Sequence, residues 1–318
     1  MESLPRGANF RRTKLLWELG LHVAGNPDTP YGGDRDMCIT VGNGSGTAFR
    51  PSLRMATGSP VLAHDVAGGG LEMAMVNPCA FLTQAYRGVG LFDKSLPVRV
   101  IGIYPSWDQF VFAIHPKTGI KSLADVKARR YPLQVSVKED PTHSTRVMTD
   151  QVLGHYGFSL ADIESWGGRL HMSGSPSDAR RMEPMRTGEL EAVFDEALAI
   201  WFDDALDCGL APIELEDEAF KAIAELGWRR VVIKAGDYKN LKRDHACIDY
   251  SGWPLYAAAS LPDKLAYDVC GAFAARSDEI PWEESYTGPT QLGRDTPATP
   301  NDVPLHPGAA RWYAEHTR

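Results

Sequence analysis

At 318 residues, with 43% apolar and 23% charged side chains, the chain has globular proportions and length enough for two domains that each close a core, which excludes disordered and fibrous classes. A formal charge of −8, with basic residues clustered only in pairs such as Arg129-Arg130 and Arg229-Arg230, excludes nucleic acid as a partner, because phosphate binding draws on a concentrated basic surface. No apolar run approaches the roughly 20 residues that span a bilayer, and the five scattered cysteines, Cys38, Cys79, Cys208, Cys247 and Cys270, make no Cys-x-x-Cys pair and so predict neither a metal site nor a disulfide framework.

The chain opens with Arg6, Arg11, Arg12 and Lys14 ahead of Leu15-Leu16-Trp17-Glu18-Leu19. Glu18 and His22 interrupt any signal-peptide core, so a cytoplasmic protein is expected, or a periplasmic one if a leader has been removed. Met37 to Val41 reads as a buried strand running into the glycine-rich turn Asn43-Gly44-Ser45-Gly46-Thr47, and a helix carrying Leu53 and Met55 is expected next. A strand, a glycine turn and a helix start together aim backbone N–H groups at one spot, where the helix dipole favours an anion. Gly42-x-Gly44-x-Gly46 has neither the spacing of a dinucleotide fingerprint nor the Gly-Lys-Ser/Thr of a P-loop. The expected occupant is therefore a carboxylate-sized anion, with Arg50 and Arg54 on the following helix as pairing candidates or as ordinary solvent-facing residues.

Leu71 to Val76 is the next strand, near-continuously apolar as in a sheet covered on both faces. It stops at Asn77-Pro78, and a helix follows from Cys79 to Tyr86. Val98 to Tyr104 and Phe110 to Ile114 are strands flanking the loop 105–109. Ser122 caps a helix with Asp125 in its first turn. Leu133 to Val137 is a strand whose polar loop, Lys138 to Thr145, delivers a helix with Val147, Met148, Val152, Leu153 and Tyr156 at helical spacing. This repeats the first strand-to-helix unit, and two such units face to face would form a clamp. A helix from Ser177 to Met185, a strand from Glu189 to Glu196 and a helix from Ala197 to Leu206 come next. Tyr250 to Ala259 reads as a strand returning to the first domain, and Pro262-Asp263-Lys264 opens a helix with Leu265, Val269 and Phe273 on one face. Glu279 to Pro304, rich in Pro, Gly, Thr and Asp, is an irregular excursion.

The strand-end loops collect the candidate ligand residues: Asn43, Ser45 and Thr47; Asn77 and Cys79; Ser106, Trp107 and Gln109; Thr142, His143, Ser144 and Thr145; Asp195 and Glu196. Each loop alone is explained by turn formation or helix capping, and convergence on one cleft is what gives them weight. At a helix N-terminus the dipole disfavours protonated His143, so a neutral imidazole sharing a hydrogen bond is expected. Cys79 at a helix start is either a dipole-stabilised thiolate or a small packed side chain. Trp107 is a planar wall for a ligand or a loop residue packed on its own domain.

Three stretches, Val76-Asn77-Pro78-Cys79-Ala80-Phe81, Ala192-Val193-Phe194-Asp195-Glu196-Ala197 and Val303-Pro304-Leu305-His306-Pro307-Gly308-Ala309-Ala310-Arg311-Trp312-Tyr313, carry a family resemblance. From about Ile39 to Arg318 the chain resembles the TAXI family of solute receptors, which serve TRAP-type carboxylate transporters. The resemblance implies a type II periplasmic binding-protein fold: two doubly wound α/β domains joined by two crossings, here expected near Ala113 and between Leu206 and Lys234. Domain I would then comprise 1–112 with 213–318, domain II 113–212, and His306 would sit in the tail that seals domain I. It also implies a small organic anion, foremost a carboxylate, held in the interdomain cleft without metal or cofactor and delivered to TRAP membrane permease subunits. The competing expectation is a cytoplasmic enzyme on the same scaffold, resembling aromatic-acid decarboxylases and desulfinases, acting on a small acid, aromatic among the options, through His143 or Cys79. A scaffold supplies no chemistry by itself, and no second His, Asp or Glu at motif spacing completes a dyad, so binding is the leading expectation.

Overall fold

The structure is a computed structural model that describes residues 38–42 and 52–317, with helical positions 15, 19, 20, 22 and 23 ahead of them. Asn43, Ser45, Thr47 and Arg50 lie outside the described residues. Two mixed sheets organise the chain. The first has the order β1 (Cys38–Gly42), β2 (Ser52–Thr57), β3 (Met73–Met75), β12 (Trp253–Ala258) and β4 (Val98–Tyr104), with β2 parallel to β3 and β12 inserted antiparallel between β3 and β4. The second has the order β10 (Arg230–Ile233), β11 (His245–Asp249), β5 (Gln109–Ile114), β8 (Ala192–Asp195), β6 (Gln134–Lys138) and β7 (Arg169–Ser173), and β9 (Ala211–Ile213) also pairs with β5.

The chain leaves the first sheet after Tyr104 and enters the second at Gln109; it leaves the second after Asp249 and re-enters the first at Trp253. Two crossings are therefore present, at 105–108 and 250–252, displaced from the expected positions near Ala113 and between Leu206 and Lys234. The reason is that hydrophobic runs such as Phe110 to Ile114 announce a strand without announcing which sheet it joins, whereas Pro105, which has no N–H to offer a ladder, marks the actual break.

A second difference concerns Leu53 and Met55. They lie on β2, paired antiparallel with β1 in the register Val41 to Leu53 and Ile39 to Met55, and not on a helix. Their spacing is two, so both fall on one face of the strand, and they pack on the cluster of Met73, Ile101, Leu255 and Trp312. Arg54 points the other way and is bidentate with Glu72, through Nη2 at 2.9 Å and Nε at 3.2 Å. It is engaged with its own sheet.

Three apolar clusters cover the sheets. The largest runs from Val98 and Ile103 of the first sheet through Phe110, Phe112 and Phe194 of the second, and takes in Phe81, Trp228 and Tyr250. A second, with Trp201 and Phe202, covers the other face of the second sheet. The third is sealed by helices at Asp263–Ala275 and Pro307–His316. Gly308 sits where a Cβ would lie 2.0 Å from the Asp263 carbonyl oxygen, so the close approach of these two helices requires glycine. His306 caps the last helix, accepting from Gly308 N at Nδ1 (3.3 Å), and its own N–H donates to the Val100 carbonyl (2.8 Å). That is a sealing role, as the tail motif implied.

Candidate functional site at the junction of the sheets

The two crossings are hydrogen-bonded to each other. Tyr250 N donates to the Asp108 carbonyl (2.9 Å), Gly252 N to the Ser106 carbonyl (3.2 Å) and to Ser106 Oγ (3.0 Å), and Ser251 Oγ to the Asp108 carbonyl (2.9 Å). Gly252 has φ +78°, and a Cβ there would meet Cys79 Sγ at 2.6 Å. Conformation and space thus both require glycine at the second crossing. This pair of short segments is the sole covalent link between the described parts of the two sheets, and every strand-end loop that predicted a ligand contact within the described residues opens beside it.

On the second-sheet side the strand ends carry a buried charged cluster. Asp195, fully buried at the end of β8, has Arg181 Nη2 at 2.6 Å and Lys138 Nζ at 3.5 Å; Lys138, 3% exposed at the end of β6, also stands 3.6 Å from Glu196 Oε1. Arg181 is itself fully buried and donates to Ser136 Oγ (3.0 Å) and Ser173 Oγ (2.8 Å). Buried charges at low dielectric persist when they are paired; here Arg181 and Lys138 supply the opposite charges, while Asp195 Oδ2 has no hydrogen-bond partner among the described residues. From the first crossing, Asp108 reaches across: its Oδ1 accepts from Ala197 N (3.0 Å) and Gln109 N (2.8 Å). Burial, and then the neighbouring Glu196 carboxylate, push Asp108 well above the usual carboxylate range.

The helix N-termini at the junction are occupied by the chain itself. Cys79 N, at the start of the helix Cys79–Arg87, donates to the Ser251 carbonyl (3.3 Å). His143 caps the helix Ser144–His155 by accepting from Thr145 N at Nδ1 (3.2 Å). Asp108 takes the Ala197 N–H that precedes the third helix. Cys79 is buried, and burial first, then Asp249, pushes its thiol well above its ordinary value, which removes the thiolate that a nucleophile needs. Ser144 Oγ is in hydroxyl-to-hydroxyl contact with Tyr250 of the second crossing.

On the other side of the first crossing lies a pocket of about 460 Å³ lined by Trp107, Ser285, Thr287, Gln291, Arg294, Thr296, Pro297 and Ala298. Trp107 is 45% exposed and forms one wall. The opposite wall is the excursion 285–298, fixed to the first crossing by Ser106 N donating to the Ala298 carbonyl (3.0 Å) and anchored below by Arg229, which pairs with Asp295 (2.7 Å) and Asp302 (2.9 Å).

The predicted residues thus fall into groups. Asp195, Glu196 and Ser144 gather with Lys138, Asp108, Arg181 and Tyr250. Asn77, whose Nδ2 donates to the Gly252 carbonyl (3.2 Å), Cys79 and Ser106 bind the second crossing. Thr142 closes a turn on Asp140 Oδ1 (2.8 Å for both N and Oγ1), and Thr145 is buried behind His143. Gln109 is 3% exposed, and its Nε2 has no hydrogen-bond partner among the described residues. Trp107 faces the pocket. Sequence reading missed Lys138, Asp108, Arg181, Tyr250 and the whole excursion wall; a polar residue closing an apolar strand was the available signal for Lys138.

The chain is thus a mixed α/β protein of two sheets joined by two hydrogen-bonded crossings, with polar strand ends collected beside them. The chain belongs to the NMT1-like family, whose model matches residues 48–316. Among solved structures it is similar to the alkanesulfonate-binding protein SsuA from Xanthomonas axonopodis pv. citri bound to MOPS (12% identity over 80% of this chain and 70% of that one, TM-score 0.30). It is also similar to lactococcal OpuAC in complex with glycine betaine (12% identity, 81% of each chain, TM-score 0.36) and to PhnD1 from Prochlorococcus marinus in complex with methylphosphonate (14% identity, 66% and 65%, TM-score 0.32). Overlaps this loose transfer neither a ligand nor a site residue to the present chain.

Proposed function

We propose that this protein is a solute receptor: it takes a small organic anion, a carboxylate foremost, at the junction of its two sheets and hands it to a membrane permease, of the TRAP type if the resemblance of its motifs holds. The observation that carries the reading is the pair of mutually hydrogen-bonded crossings at 105–108 and 250–252, with strand ends of both sheets opening beside them. Short paired crossings of this kind are where a hinge absorbs rotation between two rigid bodies. An anion is favoured by Arg294, an exposed cation in the pocket beside the first crossing that pairs with no carboxylate among the described residues.

Thermal unfolding in the presence of small carboxylates, with and without EDTA, tests this. A ligand that binds the folded state alone raises Tm with concentration, and the expected rise is unchanged by chelator. Stabilisation that disappears with EDTA, or a panel that stabilises nothing, would count against the reading. His143→Gln keeps a hydrogen-bonding group of similar reach and removes titration, so affinity should fall by about 1 kcal/mol or less. Chemical conversion of the ligand by the wild type, lost in His143→Gln, would make the protein an enzyme instead.

A further inference from the structure

Resting on the solute-receptor reading, we infer that the pocket beside Trp107 is where the ligand sits, and that it selects a planar conjugated carboxylate, stacked on Trp107 and ion-paired with Arg294. The lining groups divide by whether their bonding capacity is already used. Gln291 is fully engaged: its Oε1 accepts from Thr287 N (2.6 Å) and Thr287 Oγ1 (3.0 Å), and its Nε2 donates to the Ser285 carbonyl (2.9 Å). Thr296 Oγ1 is bonded to Thr299 Oγ1 (2.7 Å). Pro297 and Ala298 offer only apolar surface.

Three groups remain. The Arg294 guanidinium meets no carboxylate among the described residues, and Arg294 is the one charged residue in the lining. Ser285 Oγ is buried without a hydrogen-bond partner among the described residues. The Trp107 indole presents an exposed aromatic face. A guanidinium recognises a carboxylate through two parallel hydrogen bonds, a lone hydroxyl accepts or supplies one more, and an indole face favours a flat apolar body. About 460 Å³ falls in the range of small-molecule sites, and a single aromatic ring with one carboxylate is comfortably smaller.

The excursion wall is rigid enough to keep this geometry. Trp282 stacks between Tyr104 (ring centroids 5.3 Å) and Tyr286 (4.1 Å), fixing the excursion to the end of β4, while Arg229 holds its far end through Asp295 and Asp302. Because Trp107 belongs to the first crossing, a ligand stacked on it touches the hinge directly, and binding is coupled to the angle between the sheets.

Isothermal titration calorimetry with benzoate as probe, and benzamide as its uncharged counterpart, is the test. The expected results are binding of benzoate to the wild type, a loss of at least about tenfold in Arg294→Gln with benzamide unaffected, and weakening of both in Trp107→Leu. Tenfold corresponds to about 1.4 kcal/mol. Arg294→Gln should unfold at the wild-type denaturant midpoint, so a loss of binding cannot be a loss of fold. If the wild type binds benzoate and both variants keep its affinity within twofold, the ligand lies elsewhere at the junction: this assignment fails and the receptor reading stands. If benzoate does not bind but other carboxylates do, the planar class is wrong. If no organic anion binds, both fail together.

Discussion

The charged cluster at the ends of β6 and β8 and the pocket beside Trp107 lie on opposite sides of the first crossing and differ in one respect that separates structural from functional polarity. In the cluster, Arg181, Asp195 and Lys138 are buried and face one another as charge partners, and Ser136 and Ser173 accept from Arg181. In the pocket, Arg294 pairs with no carboxylate among the described residues and Trp107 shows an exposed face to open space. A buried, mutually paired network is costly to break, whereas an exposed and unpaired lining is what a ligand completes.

The comparison is broken most sharply by removing Arg181. Arg181→Met strands the Asp195 carboxylate, with Lys138 at 3.5 Å as its remaining partner, and should cost about 3–5 kcal/mol in urea unfolding; a loss below about 1 kcal/mol would mean that the cluster is not the structural half of the pair. His245 supplies an intermediate case, buried on β11 with neither ring nitrogen hydrogen-bonded among the described residues and Glu214 3.5 Å away. Burial lowers its pKa to about 4. Above its unfolded value of about 6.5 both states are neutral, and as pH falls through the window from 6.5 to 4 the unfolded chain binds the proton first, so stability is lost on acidification. Relative to His245→Gln, the wild type should lose about 2–3 kcal/mol between pH 7 and pH 4.5; parallel stability curves for the two proteins would refute the assignment.

Gly252→Ala tests the second crossing, which is hydrogen-bonded to the first. A left-handed backbone and a 2.6 Å approach to Cys79 Sγ predict a cost of about 2 kcal/mol, read as a lower denaturant midpoint. The smallest effect belongs to the pocket: Arg294→Gln should change stability by no more than about 0.5 kcal/mol, as for other exposed positions. A larger loss would place Arg294 with the structural charges.

Much of the fold was legible in the sequence, because the apolar-rich runs 98–104 and 110–114 announce strands and Ser122 announces a helix start that the structure closes with Asp125 N donating to Ser122 Oγ (3.2 Å). Sheet allegiance was not, since nothing in the period of 213–249 names the sheet that β10 and β11 join. Leu53 and Met55 were misread because a glycine-rich stretch suggested a helix start, although their spacing of two was the true signal. For the site, residue type misled twice. Lys138 and Arg181 are of kinds that are almost never fully buried, so sequence gives no cue to their pairing, and Arg294 lies in an excursion without periodicity. Within the described residues, the loops that the sequence singles out adjoin the crossings because strand ends in α/β sheets open onto one side; the 43–47 loop lies outside them.

The central claim, that this is a receptor for a small organic anion, is tested most directly by native mass spectrometry of the purified protein. The account predicts a non-covalent one-to-one adduct of small-molecule mass that is shed on denaturation and recovered as an acid in negative-ion mode. A protein that carries only its own mass, and that acquires no adduct when incubated with aliphatic or aromatic carboxylates, would contradict it.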